Sequence, residues 1–166
     1  MGQYEYPNLL SGTRSGKGWT RSDSSTGGYN RGTGIELYNS KTTEDFLFSP
    51  SVVLHKNTDY TLHCFAANTA NMSGTELFVL DTEDTAGYEW VGNHSFLISP
   101  GPRGGWLDCT FRLRANARDG GTFQVRFDNN GSTDGKSCLI WFRDIMLTKG
   151  TEPRAWAPAE GEAWPE

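Results

Sequence analysis

The sequence predicts an all-β fold, a jelly-roll β-sandwich of two antiparallel sheets. Apolar and polar residues alternate through many short stretches, which is the pattern of strands that bury one side only. Turn residues separate these stretches about every 8 to 12 positions, a spacing typical of sandwiches. The chain contains 20 glycines and lacks the regular apolar spacing that helices need, so we expect no helix.

The beginning of the chain predicts short strands among glycine-rich turns. Tyr6, Leu9 and Leu10 offer apolar anchors. The segment Ser11–Gly34 is long for a structureless loop, so we expect a short strand near Trp19, with the indole in the core. The stretches GIELYNS and DFLFSPSVVL then predict two or three strands, interrupted by a proline.

The middle of the chain predicts a long strand, a neighbouring strand and a loop. The stretch DYTLHCFAAN alternates, and its apolar side consists of Tyr60, Leu62, Cys64 and Ala66. We expect GTELFVLD to pair with it as the next strand. The stretch DTEDTAGYEWVGNH is acidic and contains glycine, which predicts a loop that exposes Tyr88, Trp90 and His94.

The stretch GWLDCTFRLRAN predicts a strand with one side in the core. Its apolar side consists of Leu107, Cys109, Phe111, Leu113 and Ala115. Its outward side consists of Trp106, Asp108, Thr110, Arg112 and Arg114. The stretch GTFQVRFD predicts the neighbouring strand, and the residues that it turns outward are Gln124, Arg126 and Asp128.

The stretch SCLIWFRDIMLTKG predicts a long last strand with an irregularity. Ile140 and Phe142 have one parity along the strand, whereas Ile145 and Leu147 have the other. Both pairs can face the core only if the strand contains a bulge at Arg143–Asp144. The sequence therefore predicts that bulge.

Composition and charge exclude several classes of function. The net charge is −5 and no run of Lys or Arg could follow a phosphate backbone, so we expect no nucleic-acid partner. No apolar stretch reaches the length of a signal peptide or a membrane span, which predicts folding in a cytosol without membrane insertion. Cys64, Cys109 and Cys138 lie in apolar stretches and are expected to be buried thiols. Known catalytic motifs are missing, so we expect no enzyme activity.

Several stretches resemble a known family when they are taken in order. NLL near the start, YTLHCFAA, GGWLDCTFRLRA and WFRDIMLTKG resemble the jelly-roll carbohydrate-binding modules of the CBM4/9/22 type, over Pro7–Gly150. The end of the chain, IMLTKGTEPRAWAPAEGE, resembles the ends of such modules in bacteriophage tail and minor structural proteins. The resemblance implies a virion-associated module for host-surface glycans, assembled in the host cytoplasm and released by lysis. We expect one domain at residues 1–150 and a tail at 151–166 that packs on the domain or at an interface.

Sugar binding needs flat apolar surfaces for C–H groups and planar polar groups for hydroxyls. The outward row of Trp106, Asp108 and Arg112 offers both, and Gln124 and Arg126 are expected beside it on the next strand. The alternative is that these positions are ordinarily solvated and that Trp106 closes the edge of the sandwich.

Two further groups are candidate sites. Tyr88 and Trp90, with His94, form a second candidate for carbohydrate binding, although the loop could instead fold its aromatic residues under itself. The resemblance also implies a structural calcium in many such modules, and Asp144 is the candidate ligand in this chain. The stretch DNNGSTDG departs from the calcium-loop pattern of EF-hands, so a turn explains it better.

Two functions stay open on the sequence. The first is weak, multivalent binding of host-surface carbohydrate by a module without catalytic activity. The second is a capsid decoration or tail accessory protein that uses the jelly roll as a scaffold for contacts with other virion proteins. In either case we expect a homo-oligomer or many copies on the particle.

Overall fold

The computed structural model confirms the all-β jelly-roll sandwich. It describes residues 6–22, 28–30, 34–40, 42–83, 88–90, 99–115 and 117–162, and at 28–30 and 88–90 it describes the backbone. Within these residues there is no helix, and therefore none long and apolar enough to cross a membrane. The strands are β1 Thr20–Arg21, β2 Gly28–Asn30, β3 Gly34–Asn39, β4 Asp45–Phe48, β5 Val52–Leu54, β6 Tyr60–Asn68, β7 Leu77–Asp81, β8 Tyr88–Trp90, β9 Gly105–Phe111, β10 Gly121–Asn129 and β11 Cys138–Lys149.

The strands form two antiparallel sheets, each built around a long central strand. In the β10 sheet the order is β1-β4-β10-β7-β8, and β5 also pairs with β10. In the β11 sheet the order is β2-β3-β11-β6-β9. Consecutive strands thus alternate between the sheets: β9 belongs to the β11 sheet, β10 to the β10 sheet, and β11 to the β11 sheet.

This alternation corrects two expected pairings. Strand β7 is not the neighbour of β6, because it pairs with β10 and β8 in the other sheet. Strand β10 is not the neighbour of β9, which pairs with β6 at the edge of the β11 sheet. Crossing from sheet to sheet lets consecutive strands cover both sides of one core, a connection that alternation along a single strand cannot reveal.

The core lies between the two sheets and follows the predicted parity. Its largest fully buried side chains come from both sheets and from the loop before β1: Trp19, Tyr60, Phe123, Phe127 and Phe142. The strand expected near Trp19 is β1. The indole of Trp19 donates a hydrogen bond to the carbonyl oxygen of Ser11 at 2.9 Å. Cys64, Cys109 and Cys138 are free thiols in the interior, as predicted.

Strand β11 contains the predicted bulge. Its register with β6 shifts between Arg143 and Met146, and Asp144 adopts a φ of 53°. Ile145 and Leu147 consequently return to the core, where both are fully buried. The strand predicted from GWLDCTFRLRAN is too long, because β9 ends at Phe111.

The two ends of the described chain are held together by contacts that we call the terminal clasp, formed by Asn8, Thr13, Trp156, Ala159 and Glu162. Asn8 and Ala159 form a parallel β-bridge, and the Trp156 indole donates a hydrogen bond to Thr13 Oγ1 at 2.9 Å. The Glu162 carboxylate accepts from the backbone N–H of Gly12 at 2.9 Å. The boundary between a domain at 1–150 and a tail at 151–166 stays a prediction.

Candidate functional site

The outer side of the β10 sheet brings together residues that the sequence assigned to separate sites. Gln124 is paired in register with Leu80, which is paired with Tyr88. Arg126 is paired with Phe78, which is paired with Trp90. Tyr88–Trp90 is therefore a strand and not the exposed loop predicted from its composition. The side chains of β8, and the whole of His94, lie outside the described residues.

We call the outer surface of β4, β7 and β10 the arginine face, defined by Phe46, Phe48, Phe78, Leu80, Gln124, Arg126 and Asp128. Arg126 lies at its centre, paired in register with Phe48 on one side and Phe78 on the other. Its guanidinium carbon lies 4.0 Å from the ring centroid of Phe46 and 4.2 Å from that of Phe78. These distances suit cation–π contacts, so the two aromatic rings hold the guanidinium in place.

Arg126 and Asp128 form a buried ion pair on this face. The guanidinium donates to both carboxylate oxygens, at 2.9 Å and 3.2 Å, and the exposed fractions are 7% for Arg126 and 1% for Asp128. Both residues point away from the core but are covered, which corrects the expectation that they face solvent. Burial raises the pKa of Asp128 to about 7, although Arg126 lowers it; Glu44 and Glu76 raise it further.

The arginine face has partly exposed aromatic and amide groups beside this pair. Phe46 and Phe48 are half-buried, and their rings meet edge to face at a centroid distance of 6.3 Å. Gln124 is also half-buried, and its amide donates to the carbonyl oxygen of Ser49 at 2.9 Å. Aromatic rings next to fixed amide and guanidinium groups form the combination that recognises sugar rings and their hydroxyls.

An open groove continues the arginine face beyond the end of β10. Thr42, Thr43, Glu44 and Asn130 line it. The Asn130 side-chain nitrogen donates to Glu76 at 2.8 Å, whereas its buried Oδ1 has no hydrogen-bond partner among the described residues. The groove thus offers hydroxyl, carboxylate and amide oxygens to a polar ligand.

The structure places Trp106, Asp108 and Arg112 elsewhere, on the β11 sheet. Because β9 and β10 lie in different sheets, Gln124 and Arg126 are not beside Trp106, which corrects their expected position on the strand next to it. Trp106 is 52% exposed on the outer side of β9, as predicted. Arg112, beyond the end of β9, donates to Asp59 at 2.6 Å, and both side chains are substantially exposed. This hydrogen bond lowers the pKa of Asp59.

The surroundings of Asp144 do not fit a calcium ion. Its carboxylate accepts from Arg14 at 2.9 Å and lies 3.6 Å from the guanidinium of Arg143. Two positive charges at this carboxylate disfavour a cation there. Among the described residues, no group of three or more His, Cys, Asp and Glu side chains could hold a metal ion. Calcium binding at Asp144 stays an untested prediction.

Sequence reasoning missed the aromatic residues of the arginine face. Phe46, Phe48 and Phe78 were interpreted only as parts of apolar strands, because an outward aromatic and a core aromatic look alike in a short stretch. The alternation of residues in the stretch DFLF is the signal that identifies two of them as outward. Leu47 is fully buried, so the phenylalanines on either side of it face outward.

Comparison with solved structures finds proteins of similar fold at low sequence identity. A CBM4 module is 16% identical, with 81% of this chain and 96% of that chain covered and a TM-score of 0.61. TmCBM61, solved in complex with β-1,4-galactotriose, is 11% identical, with 86% and 99% covered and a TM-score of 0.51. The enzymatically active domain of tailspike protein 4 from bacteriophage CBA120 is 12% identical, with 86% and 21% covered and a TM-score of 0.57.

At these identities the likeness establishes the jelly-roll fold alone. Carbohydrate-binding modules share this fold with part of the enzymatically active tailspike domain. No protein-family model matches the sequence, and no curated protein matches it significantly.

Proposed function

We propose that this chain is a carbohydrate-binding module without catalytic activity, and that the arginine face is its binding surface. One observation carries the proposal: across β7, Gln124 and Arg126 lie in the same rows of paired residues as Tyr88 and Trp90, on the sheet whose outer side also presents Phe46 and Phe48. The likeness in fold to the CBM4 and CBM61 modules supports it.

The geometry suggests how such a face would hold a sugar. The half-buried ring of Phe48 offers an apolar surface to pyranose C–H groups, and Gln124 offers an amide. Arg126 is bound to Asp128 and held by Phe46 and Phe78, so it is fixed before a ligand arrives. Fixing these groups in advance limits the entropy lost on binding.

A glycan array probed with multimerised protein tests this function. We expect hits, and a single copy should bind in the millimolar to micromolar range, with avidity from many copies. Phe48→Ala and Gln124→Ala should each weaken binding by about tenfold, since each removes one contact group. Trp90→Ala tests the neighbouring strand in the same way.

Tyr38→Ala is the matched control, because Tyr38 is an exposed aromatic (47%) on the opposite sheet. It should leave the array pattern unchanged. Full binding by Phe48→Ala, Gln124→Ala and Trp90→Ala together would contradict the arginine face as the binding surface.

We propose further that the module acts on a bacteriophage virion and recognises a host-surface glycan. The end of the chain, which resembles the ends of modules in phage tail proteins, supports this context, and the tailspike match supports it at the level of fold. Many copies on one particle would give useful avidity from weak single sites. Immunogold labelling of intact particles checks the location; label that stays with unassembled protein would contradict it.

The second candidate function is a structural decoration or tail accessory protein that contacts other virion proteins or copies of itself. The observation that favours it is the exposure of Tyr38 and Trp106 on one side of the β11 sheet, since exposed aromatics are common at interfaces. Light scattering of the purified protein distinguishes the candidates. A strict monomer that binds glycan would favour the first, and a stable oligomer without glycan binding would favour the second.

A further inference from the structure

Trp106 is the centre of a second surface, on the opposite side of the sandwich from the arginine face. We call it the tryptophan face and define it by His63, Phe65, Trp106, Asp108 and Arg143. One row of paired residues runs across it, because Arg143 is in register with Phe65 and Phe65 with Trp106. In the next row His63 is in register with Asp108. Residues opposite each other on neighbouring strands have side chains in contact range.

The indole of Trp106 is exposed, but it is held by its neighbours. The imidazole of His63 stacks on it with the rings nearly parallel, at 4.4 Å between centroids and an angle of 4°. Phe65 meets it edge-on at 5.5 Å. Asp108 in turn is hydrogen-bonded to His63 Nδ1, which fixes the imidazole. One face of the indole is therefore supported by His63, and the 52% exposure of the residue belongs to the unsupported side.

The turn before β9 packs closely against Phe65, the cross-strand neighbour of Trp106. Gly104 adopts a φ of 75°, and a side chain there would collide with the ring of Phe65 and the carbonyl oxygen of Ala66. Glycine at this position thus lets the turn hold Phe65 in place beside the indole.

Two polar side chains are exposed on the same face as the indole. The Asp108 side chain is half exposed, and so is Arg143, whose guanidinium carbon lies 4.4 Å from the centroid of Phe65. Arg143 stands two strands away from Trp106, about 10 Å along the row at the usual strand spacing. A supported aromatic ring that shares its face with an exposed carboxylate and an exposed guanidinium matches a pyranose, with C–H groups on one side and hydroxyls at its rim.

We propose that the tryptophan face is a second saccharide-binding site, in which a pyranose stacks on the free side of Trp106 and hydrogen-bonds to Asp108 and Arg143. It extends the proposed function to a module with two sites on opposite sides of one sandwich. It does not depend on the arginine face, since no residue is shared. Such a module joins two glycan segments, or binds one particle to two neighbouring chains.

Charge favours a saccharide over a protein partner at this surface. The centre of a protein interface is typically depleted of charged residues, because burying them is costly. Here Asp108 and Arg143 are half exposed on the same face as the indole, and Arg112 lies farther along the same side. A sugar would exchange hydrogen bonds with these groups and leave much of their hydration in place.

Titration of the isotope-labelled protein with β-1,4-galactotriose and with cellohexaose, followed by NMR, tests the proposal. The indole N–H signal of Trp106, identified by its loss in Trp106→Ala, should shift and saturate with one of the probes. The indole of Trp19 is the internal control, because it is 1% exposed and donates to Ser11. Its signal should stay fixed.

Variants separate the two sites. Trp106→Ala should weaken binding at the tryptophan face by about tenfold, and Trp106→Phe should restore part of it. His63→Ala removes the support and should weaken binding less than Trp106→Ala. Tyr38→Ala, on the same sheet three strands away, should bind like the wild type. Shifts on the arginine face should persist in all of these variants.

Each outcome decides one proposal. Shifts that disappear in Gln124→Ala and Phe48→Ala, without any at Trp106, would overturn the second site and leave the proposed function intact. Shifts that disappear only in Trp106→Ala would overturn the arginine face and support the second site. Concentration-dependent association that Trp106→Ala abolishes, with neither probe shifting the Trp106 signal, would show a protein contact and overturn the second site.

Discussion

Asp128 is an acid whose charge the fold disfavours, because burial raises its pKa to about 7 even though Arg126 is bound to it. The folded chain therefore keeps the proton to a higher pH than the unfolded chain does. The stability that this group contributes is fully present below about pH 4 and is lost as the pH rises through about 7.

Asp128→Asn should remove this pH dependence. We expect the wild type to lose roughly 2–4 kcal/mol of unfolding free energy from this group between about pH 4 and about pH 8. The variant should show a correspondingly flatter profile in urea unfolding measured across that range. Parallel profiles for the two proteins would show that the Asp128 pKa is ordinary in the fold.

Arg126 provides the complementary test, because removing it leaves the buried Asp128 without its partner. Arg126→Met should destabilise the fold by about 3–5 kcal/mol at pH 8 or so, where Asp128 is charged. At about pH 5 the loss should be smaller, since the neutral acid needs no counter-charge. Arg112→Met is the control: its ion pair with Asp59 is exposed, so urea unfolding should be little changed.

Cys64 and Cys109 are buried side by side on β6 and β9, and burial raises the pKa of each thiol to about 12. The thiolate is the reactive form, so the native thiols should be almost inert. At neutral pH both thiols should be unreactive toward a colorimetric thiol reagent in buffer and fully reactive in guanidinium chloride. Rapid reaction of either thiol in the native protein, compared with a Cys→Ala variant at that position, would contradict their burial.

Among the elements, strand β11 shows how one residue sets the orientation of a whole segment. The bulge at Asp144 adds a residue opposite β6, so that residues on both sides of it face the core. Deletion of Asp144 should move Ile145 and Leu147 to the outer side and abolish cooperative unfolding in calorimetry. Asp144→Gly should fold normally, because glycine adopts the φ of 53° without strain. A deletion variant of native stability would contradict the bulge.

Alternation within each strand is what the sequence reveals, and it predicted the buried sides of β6, β9 and β10 and the bulge in β11. It also placed Trp106 on an outer surface. These features depend on which side of one strand is apolar, which is a local property. Pairing between strands is not local, so the positions of β7 and β10 could not be deduced from their order in the chain.

Only some residues of the candidate site were named from the sequence, and they were assigned to two separate groups. Gln124, Arg126, Tyr88 and Trp90 became one surface only when β10, β7 and β8 were found side by side. The burial of Arg126 could not be anticipated either, since an outward arginine is normally solvated. It is covered because the outward rings of Phe46 and Phe78, from neighbouring strands, both pack against its guanidinium.

In the molecule as a whole, one core lies between the two outer surfaces of the sandwich. The terminal clasp holds the two ends of the described chain together. The N–H of Asn8 donates to the carbonyl oxygen of Pro158 at 3.2 Å, and its side chain hydrogen-bonds to the backbone of Ile145 and Leu147 in β11. The C-terminal residues therefore hold the first residues against the central strand of the β11 sheet. The clasp contains no group of either proposed site.

Truncation after Gly150 should therefore destabilise the fold without removing a binding site. It deletes the buried Ala157 and Ala159 and the hydrogen bonds to Asn8, Gly12 and Thr13. At about 1 kcal/mol for each hydrogen bond, the loss should be roughly 2–3 kcal/mol, or a fall of about 5–10 °C in Tm. In hydrogen exchange, protection should decrease first at the backbone N–H of Leu9 and Gly12, while β6 and β10 stay protected. Glu160→Ala, an exposed change within the tail, should leave Tm unchanged. A truncated chain with wild-type Tm and wild-type exchange at Leu9 would mean that residues 1–150 fold independently of the clasp.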